Sequence, residues 1–204
     1  MLGRPKDAVK RETILSAAEK IFFAQGFSAT TIERIAADAG VSKVTVYGHF
    51  GDKETLFEAV VAREVALIEA RADERARADT SLEQSLIDLG EVFIAFVLSP
   101  RVINFDRLLM AEAAKNPALV KRFMAAGPHQ AARFLETIIT RGIQSGELIV
   151  PDLAKAAEDM MGLWLGMAKM EAQMGLLGQL SPEVISARVR HGVSVFLRAY
   201  GRIT

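Results

Sequence analysis

The 204-residue chain contains no cysteine, a single tryptophan and two tyrosines. Without cysteine there can be no disulfide, no thiolate nucleophile and no cysteine-ligated zinc or iron–sulfur centre, a composition that fits a reducing cytoplasm. An excess of either charge is also missing: Lys plus Arg and Asp plus Glu both number 25. Overall basicity therefore gives no argument for nucleic-acid binding, and any DNA contact has to come from a local cluster. Long apolar runs are lacking too. The longest, Met160 to Met170, is interrupted by Lys169 and falls short of the ~20 residues that cross a bilayer. The start, Met1 to Lys10, is polar and charged, unlike a secretory leader. The expectation is a soluble cytoplasmic protein with no membrane partner. Half of the residues are hydrophobic and 25% charged, enough to bury a core.

Proline is absent between Pro5 and Pro100, so that whole stretch can be helical without a forced break. Ile14, Ala17, Ala18, Ile21 and Phe22 recur at helical spacing, and the helix stops at Gly26. Thr30 with Glu33 reads as a capping box for a short second helix through Ile32, Ile35, Ala36 and Ala39, ending at Gly40. Ser42 caps a third helix and Asp52 a fourth, which runs into the charge-rich, solvated stretch from Glu69 to Asp79. Thr80 and Glu83 repeat the box ahead of a helix along Leu86, Leu89, Phe93 and Phe96. Further helices are expected at Val102 to Ala114, Pro117 to Ala126, Pro128 to Ser145, Asp152 to Met174 and Ser181 to Tyr200. No alternating run long enough for a sheet appears. The expected class is all-α. Phosphate loops, nucleophile elbows and paired histidines are all absent, and His129 and His191 stand isolated, so neither an enzyme nor a metal or cofactor site is expected.

The informative segment is TIERIAADAGVSKVTVYGHFGDKETL, from Thr31 to Leu56. Two short helices lock across a tight turn only if the crossing residue is small and the turn tolerates a positive φ. Ala36 and Gly40 meet those needs. Val41, Val46, Phe50 and Ile35 form an apolar wedge, which leaves Lys43, Val44, Thr45, Tyr47, Gly48 and His49 on exposed faces of the third helix, able to reach phosphates or base edges in a major groove.

These residues, with Lys53, Glu54 and Leu56 after them and Ile21-Phe22, Gly26-Phe27 and Thr30-Thr31 before them, resemble the N-terminal signature of the TetR family of transcriptional regulators. The resemblance implies a homodimeric, all-helical repressor: residues 1–55 a three-helix helix-turn-helix domain, joined by the fourth helix to residues 56–204, a ligand-binding and dimerising body. Carried over by position, Thr31, Ser42, Tyr47, His49 and Lys53 contact phosphate, and Lys43, Val44, Thr45 and Gly48 face the bases; Gly48 departs from the larger side chain common there. Arg4, Lys6, Lys10 and Arg11 supply a basic N-terminal arm. Two-fold symmetry in the protein calls for a palindromic double-stranded operator. The stretch Arg107 to Leu148 is similar to the C-terminal domain of AefR-like members of the family.

Seven of the eight methionines follow residue 100, and methionine suits irregular apolar cavities. A pocket for a small, mainly apolar effector is expected among Phe93, Phe105, Leu109, Met110, Phe134, Met161 and Trp164, with Asn104, Asp106 and Glu112 as the nearest polar groups. The alternative is that these residues are ordinary core and the body only dimerises, giving a regulator without effector. The dimer seam is expected on the helices Pro128 to Ser145 and Asp152 to Met174, the second being apolar nearly all round.

Overall fold

A computed structural model describes residues 4–75 and 80–202, with side chains from residue 7 onward. Eleven helices are found among them: α1 (Arg4–Gln25), α2 (Ile32–Asp38), α3 (Lys43–Phe50), α4 (Lys53–Arg75), α5 (Leu82–Val97), α6 (Pro100–Ala113), α7 (Pro117–Ala126), α8 (Pro128–Gln144), α9 (Leu153–Leu165), α10 (Ala168–Gln173) and α11 (Pro182–Tyr200). No strand occurs among the described residues; one isolated bridge joins Leu148 and Gly201. No helix among them is long and apolar enough to cross a membrane.

The caps explain the helix starts. Ser42, Ser81, Asn116, Asp152 and Ser181 each accept a hydrogen bond from the backbone N–H three residues on. Two expected caps move by one residue. Thr31, not Thr30, caps α2, and Ser81, not Thr80, caps α5. Thr30 is instead buried, its hydroxyl donating to the Gly26 carbonyl at 2.6 Å. The helix expected from Asp152 to Met174 is two helices, broken at Gly166 with φ 47° and ψ −134°, outside the space open to other residues. The basic N-terminal stretch is no separate arm from Arg4 on, since α1 already begins there.

The chain forms two compact units. The first comprises residues up to Glu64 and Asn104–Gly127. Its core is aromatic: Phe22 stacks on Phe27 at 5.9 Å, Phe57 meets both edge-on, and Phe23 stacks on Phe105 at 4.6 Å. Each buried ring contributes on the order of 2 kcal/mol from area alone. Residues 104–127, which the sequence placed with the body, thus pack with the helix-turn-helix. The Asn104 amide donates to the Phe23 carbonyl at 3.1 Å, and Glu112 accepts from the Ser28 N–H at 3.0 Å.

The second unit comprises Val65–Ile103 and Pro128 onward. Here α5 packs against α8 and α11, and α9 against the same two helices, around Leu86, Ile94, Leu135, Ile139, Met160 and Phe196. Trp164 is 1% exposed and wedged where α5 and α11 carry glycine. A Cβ on Gly90 would stand 2.7 Å from both the indole Cε2 and Val189 Cγ1; one on Gly192 would stand 3.1 Å from the indole Cδ1. Beyond α8, the Ile149 N–H donates to the Tyr200 carbonyl at 2.8 Å, and the Tyr200 hydroxyl donates to Asp159 at 2.6 Å. The chain passes between the units within α4, within α6 and again between α7 and α8.

Candidate nucleic-acid interface and effector pocket

The turn between α2 and α3 begins with backbone bonds. Gly40 takes φ +64°, which lets its N–H reach the Ala37 carbonyl and the Val41 N–H reach the Ala36 carbonyl, the paired bonds that stop a helix at a left-handed residue. Ser42 then accepts from the Thr45 N–H at 3.1 Å and lies 2.9 Å from the Thr45 hydroxyl, starting α3 at once. Val46 and Phe50, one turn apart, are buried. The opposite face therefore carries Lys43, Val44, Tyr47 and Gly48 outward, with Val44 75% and Tyr47 45% exposed. A Cβ on Gly48 would meet nothing within 4 Å.

The expected contact residues do not all share one face. Lys43, Val44, Tyr47 and Gly48 share the open face, and Thr31, at the N-terminus of α2, is exposed with its side-chain oxygen accepting from the Arg34 N–H. Thr45 and His49 are half-buried at its edges. Lys53 lies apart. Its ammonium group donates to the carbonyls of Phe27 at 3.1 Å and Thr30 at 2.9 Å, 4.2 Å above the Phe27 ring. Two of its three donors thus brace the loop between α1 and α2. Of the basic N-terminal residues, Lys10 and Arg11 are exposed, Arg11 with its guanidinium 5.2 Å from the Phe50 ring centroid; the side chains of Arg4 and Lys6 lie outside the described ones.

Two acidic residues lie near this face, Glu33, which the sequence offered only as a capping-box partner, and Asp7, which it did not single out. Glu33, in the first turn of α2, lies 3.0 Å from Lys43 Nζ. Its own backbone N–H, and then Lys43, hold its carboxyl below the usual range, while the hydrogen bond to Glu33 raises the Lys43 ammonium. Asp7 lies 3.4 Å from His49 Nε2. The signal for Glu33 was available: an acid in a first turn ten residues before a lysine across a known turn. Asp7 offered none.

The residues expected to line an effector pocket are not brought together. Phe93, Phe134, Met161 and Trp164 line one cavity in the second unit, with Glu69, Val65, Ile68 and Leu135 among the other walls. Phe105 and Leu109 are buried in the first unit, where Phe105 packs on Phe23 and Phe57, and Met110 is 58% exposed. Asn104 and Glu112 are occupied there as well. The cavity itself is small, about 10 Å³, room for roughly one water molecule. Glu69 is its acidic wall, a residue the sequence presented only as part of a charge run. Burial, and then the neighbouring charge of Asp73, pushes its carboxyl up from the usual range.

Comparison with known proteins agrees with the helix-turn-helix geometry. Residues 14–60 match the family described as bacterial regulatory proteins, tetR family, and residues 84–202 match the AefR-like transcriptional repressor C-terminal domain. The HTH-type transcriptional regulator SrpR of Pseudomonas putida is 27% identical over 158 residues, 77% of this chain and 72% of that protein. Among solved structures, a protein of Mesorhizobium loti MAFF303099 assigned to the TetR family superposes with a TM-score of 0.79 at 28% identity, covering 98% of this chain and 100% of the other. The flavonoid-responsive regulator FrrA gives 0.72 at 26% identity, covering 97% and 100%. With a turn built on Gly40, an open face on α3 and a family match that spans most of the second unit, the chain belongs to the TetR family of transcriptional regulators, DNA-binding proteins rather than enzymes.

Proposed function

We propose that the protein is a cytoplasmic dimeric repressor that sets α3 of each protomer into successive major grooves of a palindromic operator and is released by a small, mainly apolar molecule. The observation that carries the DNA reading is the outward face of α3, where Lys43, Val44, Tyr47 and Gly48 are exposed on a helix fixed from behind by Val46 and Phe50. Equivalent faces in a two-fold dimer must repeat about 34 Å, or a multiple of it, along the duplex. For the dimer, the apolar stripe of α8 is used inside its own unit, with Leu135, Ile138 and Ile139 in the core. Exposed apolar groups instead gather after α9, at Met167, Met170, Met174, Leu176 and Val184, and they make the stretch from α9 into α11 the surface for a second copy.

The effector site rests on the cavity beside Phe93, Phe134, Met161 and Trp164. At about 10 Å³ it admits no effector as it stands, so a ligand has to hold open a state in which Phe134 and Met161, both half-buried, have moved. That state must be the one that binds DNA poorly; a hundredfold preference supplies about 2.7 kcal/mol. A tilt at the far end of α4, one uninterrupted helix from Lys53 to Arg75, would displace the head by its other end. The same small volume favours a second reading, a regulator with no effector, whose cavity is only core.

The test begins with DNA selected from a random pool by the purified protein. Tyr47→Ala should weaken binding evenly across sequences, as loss of a phosphate contact does, and Lys43→Ala should weaken it with altered base preference. Unchanged affinity in both variants would remove this face from the interface. Apolar aromatic compounds, flavonoids included because one structural neighbour responds to them, should release the operator. If none raises the thermal stability or loosens DNA, the effector-free reading holds.

A further inference from the structure

Among the outward residues of α3, Lys43, Val44, Tyr47 and Gly48, only Val44 has a side chain without a polar atom that still projects from the helix. The polar groups around it already have partners. Lys43 Nζ lies 3.0 Å from Glu33. The half-buried Thr45 hydroxyl lies 2.9 Å from that of Ser42, within the cap that starts the helix, and His49, also half-buried, faces Asp7 at 3.4 Å. Val44 is 75% exposed. The residue one turn further on decides how open it is, because a helical side chain leans back over the turn before it and covers the residue four places earlier. Four places after Val44 stands Gly48, with no side chain to lean and empty space where a Cβ would be. The two methyl groups of Val44 therefore form a bare knob with a notch on its C-terminal side. A β-branched residue in a helix holds essentially one χ1 rotamer, so the knob is ordered before anything meets it.

We propose that Val44 reads the C5 methyl group of one pyrimidine in each half-site, thymine in unmodified DNA, and that the notch at Gly48 admits that methyl. The proposal rests on the reading of α3 as the helix set into the major groove. The thymine methyl is the one alkyl group that the four bases present there; the other marks of identity are hydrogen-bond donors and acceptors. A side chain with neither donor nor acceptor distinguishes bases by contact with that group. Against a guanine or adenine edge the same valine would strip water from polar atoms and return no hydrogen bond. A larger residue at position 48 would stand over Val44 and fill the space the methyl needs. Burying one methyl group against the valine corresponds to about fourfold in affinity.

The test takes the DNA selected by the intact chain and replaces its thymines by deoxyuridine one position at a time, which removes the methyl and keeps the base pair. One thymine in each half-site should stand out, its replacement weakening binding about fourfold, and about fifteenfold when both half-sites are changed. In Val44→Ala, a truncation at an exposed position, the same replacement should change affinity by less than about twofold while circular dichroism keeps its helical signal. Gly48→Gln, which lays a polar chain back over Val44, should blunt the preference in the same way. At that position 5-methylcytosine paired with guanine should bind about fourfold tighter than cytosine, because the methyl returns in a different base pair. Equal tolerance of deoxyuridine at every thymine, or an undiminished deoxyuridine effect in Val44→Ala, would overturn the proposal. The two readings fail separately. If Lys43→Ala and Tyr47→Ala leave affinity unchanged, α3 is not the interface and both fall; if those variants weaken binding and no thymine stands out, the methyl contact alone falls.

Discussion

Gly90 lies inside α5, where alanine would ordinarily be favoured by about 1 kcal/mol because it restricts the unfolded chain more. The packing reverses that sign. An added methyl would stand 2.7 Å from the Trp164 Cε2, 2.9 Å from its Cζ2 and 2.7 Å from Val189 Cγ1. Neither neighbour is the free end of a flexible chain: the indole is 1% exposed and Val189 fully buried. Overpacking of a rigid core costs about 1–3 kcal/mol, and contacts this close on two separate helices belong at the upper end. After the gain in propensity, Gly90→Ala should lose about 2 kcal/mol, a fall in melting temperature of about 4–8 °C for a chain of this size. Urea unfolding followed by circular dichroism, at fixed protein concentration because assembly shifts apparent stability, reads it directly. Gly48→Ala on α3, where the new methyl meets nothing within 4 Å, is the control and should gain up to about 1 kcal/mol. Adding Val189→Ala to Gly90→Ala removes one of the contacts, so the pair should lose less than the sum of its parts. A Gly90→Ala protein as stable as the wild type would refute the reasoning, because the slot around Trp164 would then have slack.

Asp52 caps α4, and the Thr55 hydroxyl and N–H hold its carboxyl below the usual range; Asp52→Ala should cost about 1 kcal/mol at neutral pH. Since the folded protein favours the ionised form, that deficit should shrink as acid titration passes below about pH 4. Glu69 has the opposite sign: its raised carboxyl means folding is penalised once the group ionises, so Glu69→Gln should be more stable than wild type at neutral pH and equal to it below about pH 4. Lys53→Met keeps the apolar stem but deprives the Phe27 and Thr30 carbonyls of their donor, and should lose about 1–2 kcal/mol in the same unfolding assay.

Local signals carried through to the structure where one residue had one role. Pro117 opens α7, which runs to Ala126 as expected, and Ser181 before Pro182 starts α11. Where two hydroxyl residues stood together, at Thr30-Thr31 and Ser81 beside Thr80, the pattern could not tell which would cap, since both satisfy the same spacing rule. The break at Gly166 was hidden for a related reason: glycine is tolerated in helices, and only its dihedral angles show that this one ends a helix. On α3, burial of Val46 and Phe50 was legible in the period of the apolar residues, and with it the outward face. The roles of Lys53 and of Phe105 were not. A lysine beside a recognition helix looks alike whether it meets phosphate or a carbonyl, and Phe105 is one more apolar residue until Phe23, far away in sequence, is found stacked on it. Such tertiary pairings leave no periodic trace.

If α3 meets DNA as proposed, the ion pair between Lys43 and Glu33 sets a carboxylate in competition with DNA for the lysine. Any phosphate or base edge that takes the lysine must displace a carboxylate tethered one helix away, and that carboxylate, once released, faces a polyanion at short range. Breaking the pair costs the same on every duplex. A site that offers Lys43 a matched acceptor recovers the loss; random sequence does not. On the proposed reading of α3, the cost then falls hardest on DNA that gives the lysine nothing in return, through an acid that touches no base at all.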